Sequence, residues 1–215
     1  LSNAVTRSIS AENFTGEKGG GAQATPDQGI RVVGTLSTSE FSFWKTSARD
    51  LGVGWKVSPC ILLCPNETFP LADIEGPGVI QSIWMTGYVG RDLILRVYWE
   101  DQEQPSVECP LSDFFACGWY DNGEGPFNKG PFHQLNSLMV CVNPNRALNC
   151  FWAMPFRKRC RVTIENRGAK PRVVFYQINY ALTEVPEHIG YFHAQFRRTG
   201  PIKFKDDYVL LDGVR

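Results

Sequence analysis

Arg159-Cys160-Arg161-Val162-Thr163-Ile164-Glu165-Asn166 and, after a short polar link, Arg172-Val173-Val174-Phe175-Tyr176-Gln177-Ile178-Asn179-Tyr180-Ala181-Leu182 decide the fold of this chain. In the first run Val162 and Ile164 alternate with Arg161, Thr163 and Glu165. In the second, Val174, Tyr176, Ile178 and Tyr180 alternate with Val173, Phe175, Gln177 and Asn179. A period of two sends successive side chains to opposite faces of an extended chain, so both runs read as strands with one face on a core.

Working outward, similar short runs recur at Val53–Val57, Ile61–Leu63, Thr68–Ile74, Val79–Thr86, Asp92–Trp99, Ser106–Cys109, Leu138–Val142 and Leu148–Met154. Each is rich in β-branched or aromatic residues and is bounded by Gly, Pro, Asn or Asp, which gives about ten strands at sandwich spacing. Successive parallel strands would need crossover helices, and no run of helical period stands between these. The expectation is an all-β, antiparallel sandwich of jelly-roll type over residues 31–215. Ser47–Gly52 reads as one short helical turn. Residues 1–30, with Gly19-Gly20-Gly21, read as an extended Gly-rich arm with no core of its own, lying over another subunit or domain. Gly118–Leu135 reads as a long Gly- and Pro-rich loop, a length that compact domains usually keep for function or an interface.

Composition narrows the class. Hydrophobic residues make up 43% of the 215, with six Trp, fourteen Phe and seven Tyr, enough apolar area to build a core and exclude global disorder. Lys plus Arg and Asp plus Glu are both 22, so no net field favours nucleic acid or an anionic membrane. No run approaches the roughly 18 apolar residues of a membrane helix. Leu1 is not an initiator Met, and upstream sequence with room for a signal peptide is expected. The seven cysteines are odd in number and sit in apolar runs, so they read as buried free thiols, which fits the cytoplasm and leaves the periplasm open. Cys60 and Cys64 have metal-like spacing, but no second Cys or His pair follows, and neither a metal nor a cofactor is expected. Walker, G-x-S-x-G, H-E-x-x-H and dinucleotide motifs are all missing.

Carboxylates that could act on a sugar are Glu12 with Glu17, Asp73 with Glu75, Asp113, and Glu184 with Glu187. Asp73 and Glu75 lie where a strand meets a tight turn and read more simply as turn acceptors. Asp113 stands in Ser112-Asp113-Phe114-Phe115-Ala116-Cys117-Gly118-Trp119, a mixture of acid and aromatic that a sugar site uses for hydroxyls and C–H faces. A turn-capping Asp113 above core phenylalanines is the alternative. The basic strings at Arg157-Lys158-Arg159 and Arg197-Arg198 read as partners for carboxylates.

Several strings together resemble glycoside hydrolase family 172: Arg7-Ser8-Ile9-Ser10-Ala11-Glu12-Asn13 with Gly16-Glu17-Lys18-Gly19-Gly20-Gly21, Leu71–Gly78, Arg91–Trp99, Asp113-Phe114-Phe115, Asn149–Lys158 and Tyr191–Arg198. The resemblance implies a double jelly-roll hydrolase that acts with retention on furanosides such as α-fructofuranosides, difructose anhydrides or α-D-arabinofuranosides. It also implies homo-oligomers, trimers or multiples of them, with sites near subunit contacts. The family's two catalytic glutamates lie in a later half, in Gly-Glu-Gly-Glu-like and Thr-Glu-Asp-Tyr-like segments, and this sequence reaches Leu211-Asp212-Gly213-Val214-Arg215 before either. No catalytic residue is therefore expected in this chain, which alone should be inactive without a second, C-terminal jelly roll. Glu12, Lys18, Asp113, Phe115 and Trp119 are the expected substrate-binding residues. A non-catalytic carbohydrate-binding or shell-forming role is the alternative.

Overall fold

A computed structural model describes residues 2–36, 46–118, 134–143 and 146–213. Two β-sheets face one another across one main apolar core. The larger has nine strands: β1 (Val5–Ser10), β2 (Arg31–Val33), β3 (Ile61–Leu63), β5 (Gly78–Gly87), β8 (Leu135–Asn136), β9 (Val140–Asn143), β10 (Ala147–Cys150), β11 (Met154–Phe156) and β13 (Arg172–Leu182). The smaller has five, in the order β14 (Ala194–Gln195), β7 (Val107–Pro110), β6 (Leu93–Trp99), β12 (Arg159–Asn166) and β4 (Thr68–Glu75). Helix among the described residues comprises α1 (Leu111–Phe114), a 3₁₀ turn at Arg49–Leu51 and the 3₁₀ residue Arg146. The chain is a β sandwich. Its two sheets are mixed, because β2 joins β3 and β14 joins β7 in parallel at sheet margins.

The two runs that decide the fold form the centre of the sandwich. β12 pairs with β4 and β6, and β13 pairs with β5. β4 and β12 are antiparallel, as are β5 and β13, so the β4–β5 link and the β12–β13 link cross between sheets at opposite ends. At the first end the Gly76 N–H donates to the Lys158 carbonyl at 2.6 Å. At the other, fully buried Asn166 donates its amide to the carbonyls of Leu63 and Lys170, both at 2.9 Å, and accepts the Gly168 N–H at 2.9 Å. One side chain thus satisfies three backbone groups on two chain segments, the Leu63 carbonyl among them fully enclosed.

Inward-facing Ile83, Met85, Leu95, Val97, Val162, Ile164, Tyr176 and Ile178 meet between the sheets. Fully buried Trp99 donates its indole N–H to the Phe192 carbonyl at 2.7 Å and stacks on Tyr191, which pins the chain after β13 against the core. Six cysteines are buried and Cys141 is half-buried, and none forms a disulfide.

The structure departs from the expectations in three places. Residues 1–30 are not an independent arm: β1 pairs with β13 along its whole length and Ile9 is fully buried, so this stretch belongs to the same sandwich. Val53–Val57 forms turns in place of a strand and leaves Val53 and Trp55 exposed. Leu148–Met154 is two strands, β10 and β11, which take successive stretches of β5 because Phe151–Ala153 steps out of the ladder between them.

Candidate functional site

β13 carries β5 on one side, and on its other side β3 along its first part and β1 along the rest. Residues 11–30 turn from β1 toward β2 across this margin, close to β4, where Phe14 meets Phe69 edge to face at 5.6 Å. The turn is built by Asn13. Its Oδ1 accepts the Gly16 N–H at 3.0 Å, its amide donates to the Glu17 carbonyl at 2.8 Å, and its backbone exchanges bonds with Ser10. Gly16 has φ +72°, and a Cβ there would lie 2.8 Å from the Tyr180 hydroxyl oxygen. The Gly-rich stretch is thus a fitted turn against β13.

Glu12 sits at the start of this turn. Its Oε1 accepts the Ser58 N–H at 2.6 Å, while its Oε2 is shut from water without a hydrogen-bond partner. Burial pushes the carboxyl above its ordinary value, against the opposing pull of the Ser58 N–H and the Lys56 charge. A cavity of about 630 Å³ lies beside it, lined also by Phe14, Gln23, Gln28, Arg31 and Ser58. Burial, with a smaller contribution from the Glu12 charge, pushes the nearby Cys60 thiol up to about 12, so it stays protonated and unreactive. Lys18 is exposed on the next turn, closed by the Gly20 N–H donating to the Glu17 carbonyl at 3.1 Å.

The second group expected at the site lies elsewhere in the chain. Asp113 is in α1, which follows β7, and β7 is separated from β4 by β6 and β12, about 14 Å across the sheet. Both its oxygens are held by Arg91, Nε at 2.8 Å and Nη2 at 2.7 Å, and the Ser112 hydroxyl donates to Oδ2 at 3.2 Å. Hydrogen bonding to Asp113 in turn raises the Arg91 guanidinium. The pair anchors α1 to the link between β5 and β6. Phe115 is fully buried, edge to face with Phe114 at 5.2 Å, so its ring packs the core and presents no face to a sugar, which corrects its expected stacking role. Trp119 lies outside the described residues, with most of the Gly118–Leu135 loop.

A polar hub that the sequence did not announce forms around Glu100, at the end of β6. Its carboxylate accepts the backbone N–H groups of Arg157 at 2.8 Å, Lys158 at 2.6 Å and Arg159 at 3.2 Å, and the Tyr191 hydroxyl at 2.9 Å. Burial pushes this carboxyl up, but the four donors together outweigh it and hold the group below the usual range. Arg157 carries the hub onward by donating to the carbonyls of Pro186, Glu187 and Ile189. Arg159 pairs with Asp73, Nε to Oδ1 at 2.7 Å. Of the two basic strings, Arg159 meets the carboxylates expected for it, whereas Arg157 takes backbone carbonyls and Arg197 reaches the Gln195 amide. The only signal for the hub was the acid following a Trp-ended strand, which is too common to single out.

Among the described residues no group of three or more His, Cys, Asp or Glu is placed to hold a metal ion, and no helix is long and apolar enough to cross a membrane.

A two-sheet β sandwich with a carboxylate held in a cleft at its margin does not by itself define an activity. Residues 53–199 match the model of the first β-sandwich domain of glycoside hydrolase family 172. The match covers more than half of the chain, and the protein belongs to that family. Among curated proteins, none matches the chain.

Proposed function

We propose that this chain is the substrate-holding β sandwich of a retaining furanosidase, acting on α-fructofuranosides, difructose anhydrides or α-D-arabinofuranosides in a homo-oligomer, a trimer or a multiple of one. The family match carries this reading. The bond-breaking carboxylates belong to a second β sandwich, and this domain orients the sugar. Glu12 supports the assignment, because its carboxyl lines the cavity and its second oxygen has no partner within the chain. Lys18 is exposed on the turn that follows, and Asp113, clamped by Arg91, stands a few residues before the undescribed stretch that contains Trp119. Exposed Leu138, Phe204, Leu210 and Leu211 offer apolar surface for assembly with a second domain or subunit.

The test is a panel of aryl furanosides and pyranosides offered to the full-length protein, with the anomer first released read by NMR. Release from α-furanosides with retained configuration supports the reading. Sugar binding without release would point to a carbohydrate-binding module, and neither binding nor release to an assembly protein; both outcomes reject the proposal.

A further inference from the structure

The two outer faces of the sandwich carry opposite chemistry. On the smaller sheet, β4, β6, β7 and β12 turn Asp73, Arg96, Glu108, Arg159 and Glu165 outward, and these pair among themselves, Arg159 with Asp73 and Arg96 with Glu108 and Glu165. On the larger sheet, β5, β8, β9 and β10 contain no Asp, Glu, Lys or Arg. The charged residues of the adjoining β1 and β13 do not reach this face: Arg7 stands in the inward register with Tyr180, and Arg172 is buried against Asp92. The register instead brings Ser10, Gln177, Trp84, Asn149, Cys141 and Asn136 into one outward row. The row crosses six strands, about 24 Å.

Its polar groups are held in place by one another. Gln177 donates its amide to Asn179 Oδ1 at 3.0 Å, and Asn179 donates onward to the Ser82 hydroxyl at 2.9 Å. The Asn149 amide donates to the carbonyls of Cys141 at 3.2 Å and Ala147 at 3.0 Å. Gln177 Oε1 and Asn149 Oδ1 are left to accept, and the Ser82 O–H is left to donate. Half-buried Trp84 lies between Gln177 and Asn149, so an indole stands amid fixed amides. Phe175, toward one end, is taken up by the small apolar cluster of Ile30, Leu62 and Val173. A charged polymer finds no counter-charge here. Protein interfaces draw on aromatics, Met and Arg and are poor in Ser, the reverse of this composition. A neutral chain dense in hydroxyls suits it, with the indole on a C–H face and the amides on the hydroxyls. We infer that the outer face of the larger sheet is a non-catalytic carbohydrate site, a platform that holds a neutral polysaccharide across its strands. This goes beyond the furanosidase reading, since it requires neither a furanose nor turnover.

The experiment is native electrophoresis of the full-length protein through gels containing a soluble neutral polysaccharide (a linear β-glucan, a galactomannan or an inulin) or an anionic one (polygalacturonate or heparin). A neutral polymer should retard the protein, and the anionic ones should not. Gln177→Glu puts a charge into the row at an exposed position, and Trp84→Ala removes the ring. Each should weaken binding of the retarding polymer about tenfold, while any turnover of an aryl furanoside stays at the native level. If Trp84→Ala lowers the melting temperature, Gln177→Glu decides. Retardation by no polymer, by the anionic polymers alone, or by a neutral polymer to the same extent in both variants overturns the platform. A changed oligomer mass in Gln177→Glu assigns the face to a subunit contact and overturns it as well. If no furanoside is hydrolysed while a neutral polymer still binds through Gln177 and Trp84, the enzymatic reading falls and the platform stands.

Discussion

Replacing Asn166 with Ala tests how the two sheets are tied together. The native amide donates to Leu63 and Lys170 and accepts from Gly168, each at 2.9 Å, in a site with no exposure. The substitution leaves two carbonyls and one N–H without the partner they have now. An orphaned buried group costs about 1–3 kcal/mol, and some relaxation of the Arg167–Pro171 link is expected, so the total should be about 3–5 kcal/mol. For a domain of this size that lowers the melting temperature by roughly 6–20 °C, read by scanning calorimetry or by near-ultraviolet circular dichroism. Asn179→Ala is the control: its amide donates to the Ser82 hydroxyl at 2.9 Å in a half-buried setting, and it should cost about 1 kcal/mol or less. A drop for Asn166→Ala no larger than the control's would refute the claim that this residue ties the sheets at that end.

Three further outcomes follow from the geometry. The Glu12 carboxyl binds its proton more tightly folded than unfolded, so its contribution to stability is lost as pH rises from the ordinary carboxylate value to the raised one; Glu12→Gln should flatten that fall, and an unchanged stability profile would show the burial to be unimportant. Glu100→Gln keeps the shape but removes the charge from three backbone donors and the Tyr191 hydroxyl, and should cost about 1.5–3 kcal/mol by denaturant titration, against no change if the hub is only surface decoration. Asp113→Asn loosens the bidentate clamp on Arg91 and should lower the melting temperature and, under the proposed function, slow aryl furanoside turnover by the full-length protein about tenfold, roughly 1.4 kcal/mol; wild-type kinetics would return Asp113 to a purely structural role.

The parts of this fold that were legible in the sequence are those where burial on one face imposes a period of two. β3, β12 and β13 have the boundaries read from the sequence, and β4, β5 and β6 differ by a residue at one or both ends. β1 escaped because Val5–Ser10 precedes a Gly-rich stretch that reads as an arm, and its strand character comes from pairing with β13, remote in sequence. Val53–Val57 misled for the converse reason: its apolar residues suit a strand, yet no partner strand takes them, and Trp55 stays exposed. At the site, Glu12 could be named from its motif, but its isolated Oε2 depends on Ser58, brought in from the far side of the chain. Phe115 beside Asp113 looked like a sugar platform because acid and aromatic adjacency is the same string whether the ring faces out or in. Only the packing of α1 under Arg91 decides that it faces in.

The central claim is that this domain holds a furanose beside Glu12 for chemistry done elsewhere in the full-length protein. A structure of that protein with arabinofuranose or fructofuranose bound tests it most directly. The sugar should occupy the hollow at the start of the turn after β1, with one hydroxyl bonded to the Glu12 carboxyl at about 2.6–3.0 Å. A sugar seated in the protein's site with this hollow empty and Glu12 still alone would contradict the account.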